Sequence, residues 1–133
     1  MRSLHRIAGA FGVAMFVATG VYMKLQFTPA WPDMGMRLMF RSAHVYILCA
    51  GLANLLLAAY LMEAPAGRRR TTQLLGSVLL LLSPAAFTAA FFLEPVPGGN
   101  LFRPWCAVGL LLALAGTLLH AGRARFPGRP GSG

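Results

Sequence analysis

The sequence predicts an all-α integral membrane protein: four transmembrane helices in an up-down antiparallel bundle, with both ends in the cytoplasm. Three observations predict it. Hydrophobic residues make up 57% of the 133-residue chain and charged residues only 11%, where a soluble domain carries about 25% charged residues. Four stretches are free of charge, or nearly so, over about 20 residues, the length that crosses a hydrocarbon core of roughly 30 Å at 1.5 Å per helical residue. The arginines stand at the ends of these stretches and do not gather on one face.

The first span covers about 7–25 and runs past Lys24, whose aliphatic stem can carry its charge to the interface. The second covers 42–62, the third 71–93 and the fourth 104–122. Each must be helical, because an open strand would leave backbone groups unpaired in lipid. The three connections are short, so neighbours in sequence run antiparallel. Residues 1–122 therefore form one four-helix membrane domain. Residues 123–133, rich in Gly, Pro and Arg, read as a disordered basic tail drawn to anionic lipid heads. Most prolines punctuate ends and loops, but Pro84 lies inside the third span and should kink it, with Ser83 or Thr88 satisfying a carbonyl freed nearby. An alternative makes the first span a signal peptide, with Arg2 and Arg6 as its basic start and Ala18, Thr19 and Gly20 as the cleavage site. Against it, the apolar run continues through 21–23.

Orientation follows from flanking basic residues. Arg2, Arg6, Arg68, Arg69, Arg70, Arg123, Arg125 and Arg129 fall on one side, while Lys24, Arg37, Arg41 and Arg103 fall on the other. Eight against four puts both termini inside. The preference for arginine over lysine suits a bacterial inner membrane protein. Trp31 and Trp105 then sit at the outer interface with Tyr22 and Tyr46. The net charge of +9 is accounted for by this fringe, so the expected partners are the lipid bilayer and a membrane protein or second copy, not nucleic acid. Cys49 and Cys106 both lie in apolar spans and define no disulfide scaffold.

Small residues four apart let membrane helices approach closely. Such rows occur at Ala10, Ala14 and Ala18, with Ala8 and Gly12 beside them, at Ala50, Asn54 and Ala58, and at Gly109 and Ala113. Asn54 carries the side-chain amide lying deep in a span, and it is expected in the bundle interior with Pro84, facing a neighbouring helix.

Residues able to carry chemistry concentrate at the outer end. If a helix begins near Asp33, Arg37, Arg41 and His44 share one face. With Glu94 and Arg103 they form an outer polar cluster, read either as an anchor paired with Glu94 or as an anion, lipid-headgroup or quinone-headgroup site. Met34, Met36 and Met39 lie in the same segment, and soft thioethers with His44 or Cys106 suit Cu(I). The Met-x-Met run is similar to the methionine clusters of copper-handling membrane proteins, over six residues and without a second cluster. Of the three histidines, His5 and His120 fall at the same side of the membrane, so they are the candidate pair for ligating a haem b; His44 lies at the opposite interface. The segment Ser3-Leu-His5-Arg6-Ile-Ala-Gly9 resembles the signature at the first helix of the cytochrome-b anchor subunit of succinate dehydrogenase. The likeness rests on His5, Arg6 and Gly9, with Ser3 displaced by one place and Ala8 in place of a hydroxyl residue. The family's haem-ligating histidine in its second helix has no counterpart at matching depth. The resemblance implies a redox anchor.

Other classes find less. Asp33, Glu63 and Glu94 all lie at span ends or in loops, whereas proton-coupled transport requires an ionisable group inside the membrane. Ser42 and His44 diverge on a helix, and no zinc spacing, phosphate loop or carboxylate pair is present. The expectation is a non-enzymatic subunit or accessory factor of the inner membrane. The alternatives are a haem- or copper-binding redox or metal-handling protein, and a small transporter or pore with Asn54 and Pro84 at its centre.

Overall fold

The computed structural model describes residues 1–61, 67–97 and 102–121, without the side chains of Arg68 and Ala121. The basic tail and parts of two connections lie outside the described residues. Within them the chain is all-helical: α1 (Arg2–Gln26), α2 (Met34–Tyr60), α3 (Arg68–Leu93) and α4 (Pro104–Ala121). The first three are long and apolar enough to cross a membrane, and α4 is a shorter apolar helix.

The helices outrun the charge-free stretches. Arginines end a hydropathy window but favour helix, so α1 already begins at Arg2 and α2 at Met34, eight residues before the charge-free stretch at 42. The start of α2 is set by Asp33, whose Oδ1 accepts the Met36 amide at 2.8 Å as an N-cap. Phe27 leaves helical geometry and ends α1, and residues 28–32 turn the chain, with Trp31–Pro32 in cis.

Two antiparallel hairpins result, each closed by a glycine pair. In α1–α2, a Cβ added to Gly12 would lie 2.7 Å from the Gly51 Cα. In α3–α4, a Cβ on Gly116 would lie 2.9 Å from the Gly76 carbonyl oxygen. Only glycine allows backbones this close. The hairpins join chiefly through α2 on α3, with α1 adding contacts to α3, while α4 packs mainly along α3 among the described residues. Ala50, Asn54 and Ala58 are buried, whereas Ala10, Ala14 and Ala18 are exposed; the buried row on α1 is His5, Gly9, Gly12 and Thr19.

The apolar core fills the end of the bundle where α2 starts. Met36, Phe40, Ile47, Phe87, Phe91 and Cys106 are its larger buried members, with Ala43, Ala50 and Ala90 between them. Phe40 and Phe91 meet edge to face with centroids 5.0 Å apart, and Tyr22 meets Phe91 at 5.8 Å, the offset geometry aromatic quadrupoles favour. The polarity of the whole is turned out: Ile7, Leu25, Leu56, Leu111 and Leu118 are exposed, while His5, Thr19, Asn54, Ser77 and Ser83 are buried.

Candidate functional site

His5, Asn54 and Ser83 form a buried polar joint across three helices, and its logic begins with Pro84. A proline inside a helix has no N–H for the carbonyl four residues earlier. In α3 that carbonyl belongs to Leu80. Two side chains take it over: Ser83 Oγ donates at 2.9 Å, and Asn54 Nδ2 reaches across from α2, also at 2.9 Å. The same amide nitrogen donates to Ala50 O in its own helix at 2.9 Å. With both amide protons directed to carbonyls, the amide oxygen turns toward α1, where His5 Nδ1 lies 2.7 Å from it. An amide oxygen only accepts, so Nδ1 carries the proton. In the neutral ring Nε2 is then an acceptor. It is buried and has no hydrogen-bond partner among the described residues.

A second histidine joins the same hairpin nearer its other end. His44 Nδ1 and Thr19 Oγ1 are 2.8 Å apart, and the His44 ring stacks on Phe16 with centroids 4.0 Å apart. The threonine hydroxyl also reaches back to Met15 O at 2.7 Å. In α3–α4, His120 Nε2 lies 3.3 Å from Ser77 Oγ. Each interhelical histidine thus meets a short polar side chain on the facing helix.

A third polar assembly caps α4. Glu94, just past the end of α3, is almost fully buried. Its Oε1 accepts the Cys106 amide at 2.8 Å, in the first turn of α4, where unpaired N–H groups favour an anion. Its Oε2 accepts from Arg103 Nε at 3.0 Å. Arg103 also donates to Ser42 Oγ and, at 3.2 Å, to Met39 O. One carboxylate and one guanidinium therefore tie α2, α3 and α4 together.

The remaining candidates are dispersed. Arg37 turns back to the loop, donating to Pro32 O at 2.7 Å and to Thr28 O, with its guanidinium 5.8 Å from the Phe27 ring centre. Arg41 is exposed. Arg37, Arg41 and His44 thus turn to different surroundings although they share a helix. Met34 is exposed, while Met36 and Met39 are buried, and His44 is engaged with Thr19. Among the described residues no group of three His, Cys, Asp or Glu side chains converges as a metal site would. His5 bonds within the α1–α2–α3 joint and His120 bonds Ser77 within the α3–α4 joint. The residues that sequence reasoning missed are Thr19, Ser77 and the Leu80 carbonyl. The last had a legible signal, since Pro84 marks Leu80 as the carbonyl deprived of its donor.

Comparison with known protein families, with curated proteins and with solved structures finds no match. The likeness to the cytochrome-b anchor stays confined to His5, Arg6 and Gly9.

Proposed function

We propose that this chain is a multi-pass protein of the bacterial inner membrane, with four spans and both termini inside, acting as a non-enzymatic subunit or accessory factor. One observation carries the reading: the inward polar side chains serve joints between helices, while the outward surface is apolar. Such an interior is suited to holding helices in register. The exposed row Ala10, Ala14 and Ala18 on α1 offers a partner helix a close approach. The test is purification in mild detergent from the native membrane, with and without Ala14→Leu. The reading expects a defined complex that Ala14→Leu dissociates while the chain itself stays folded. A monodisperse monomer from both preparations would count against it.

A second reading, a haem- or copper-binding redox or metal-handling protein, is favoured by His5 Nε2. A metal-ligating histidine commonly donates its other ring N–H to an oxygen, as His5 Nδ1 does. Protein produced with haem and copper supplied should then show a Soret band, or bound copper, lost in His5→Ala. Colourless, metal-free protein removes that reading.

A further inference from the structure

The weak packing of α4 against α2 leaves a groove between them, floored by α3. Two adjoining hollows of about 150 and 200 Å³ make it up. They share Ala53, Leu80 and Thr117 on their walls. Tyr46 and Phe87 line one end and His120 the other. The walls are nearly all apolar, and from Tyr46 to Leu57 along α2 the groove runs about 16 Å at 1.5 Å per residue. That is the form of a single extended hydrocarbon chain, not of a compact ligand.

Beyond the His120 end of the groove lie the arginines that open α3. His120 faces Ser77, and Arg70 lies two helical turns before Ser77 on α3, about 10 Å along the axis. Arg69 and Arg70 are both exposed in the first turn of that helix, which contains no acidic residue. The helix dipole adds to their field, since the amino end of a helix carries partial positive charge. Apolar surface alone would not select a lipid, because every acyl chain matches it equally. The arginines supply the selection, and they select for a negative head.

We propose that the α2–α4 groove seats one acyl chain of an anionic phospholipid whose phosphate lies against Arg69 and Arg70. The proposal rests on the reading that the chain is embedded in a bilayer. It adds a specific lipid to the bundle and identifies a site remote from the outer cluster of Glu94 and Arg103.

The experiment uses full-length protein in phosphatidylcholine vesicles containing a trace of chain-spin-labelled phosphatidylglycerol or, separately, spin-labelled phosphatidylcholine. The wild-type protein should immobilise the phosphatidylglycerol label with roughly fivefold preference, the scale of one arginine at a membrane surface. The paired change Arg69→Gln and Arg70→Gln should bring that preference close to one. Thr117→Trp, which fills the groove from an exposed position on α4, should reduce the immobilised fraction while flotation and helical circular dichroism stay unchanged. Equal immobilisation of both labels by the wild type would overturn the seat, as would a Thr117→Trp protein that keeps the preference. Cross-linking of two copies through Cys49, which lines the groove, would place a second chain there and also overturn it. Protein that fails to float with the vesicles would overturn the membrane reading itself, whereas floating protein without lipid preference defeats only the seat.

Discussion

Asn54 supplies Leu80 with the hydrogen bond that Pro84 withholds, and it passes the connection on to His5. Removing it leaves the His5 N–H unpaired away from water and the Leu80 carbonyl with Ser83 as its remaining donor. Interhelical hydrogen bonds in membranes are worth about 0.6–2 kcal/mol each, so Asn54→Leu should destabilise the bundle by about 1–2 kcal/mol, read from thermal unfolding in detergent. Pro84→Ala restores an N–H for Leu80. In that background the cost of Asn54→Leu should shrink, giving a measurable coupling between the two positions in a double-mutant cycle. Strict additivity would show that the two residues do not share the carbonyl. Both residues were legible in the sequence as a polar group and a proline inside apolar spans. Their connection was not, because 26 positions separate Asn54 from Leu80 and only the helix register decides which side chain meets the freed carbonyl. The same holds for Thr19 and His44, whose meeting depends on α1 and α2 running antiparallel about the Gly12–Gly51 contact.

At the scale of the element, glycine and not alanine marks the close faces. The four-residue spacing of Ala10, Ala14 and Ala18 matched the expected packing pattern, yet that row is exposed. Alanine is compatible with a helix contact but does not require one, whereas at Gly12 a Cβ would lie 2.7 Å from the Gly51 Cα and force the backbones apart. Gly12→Val should therefore separate α1 from α2 and cost about 1–3 kcal/mol through overpacking, while Ala14→Val should leave the melting temperature of the isolated chain nearly unchanged. The opposite ranking would reverse the assignment of faces. The start of α4 depends on Glu94 in a comparable way. Glu94→Ala removes the acceptor for Cys106 N–H and for Arg103, and the lost cap alone is worth about 1 kcal/mol. Faster proteolysis within 94–103 in native vesicles would register it. The sequence placed Glu94 and Arg103 at the same end of the bundle. It could not distinguish this pair from Arg37 and Arg41, because which arginine turns inward depends on how the connection folds.

For the whole molecule, number and order of helices were readable from hydropathy, because long charge-free runs have few alternatives to helix. Their extents were less readable, since α1 and α2 continue through Arg2, Arg6, Arg37 and Arg41. The exposed leucines and buried polar joint support the proposal of a chain in apolar surroundings, and the distribution of arginines supports the proposed orientation. A membrane-embedded chain with that orientation is the central claim, and both the accessory role and the lipid seat need the embedding. Paired reporter fusions, one enzyme active only in the cytoplasm and one only after export, test it most directly. Fusions after Arg70 and after Gly133 should report the cytoplasm, and insertions at Asp33 and Gly99 should report export. An exported C-terminus, or cytoplasmic signal from all four positions, would contradict the account.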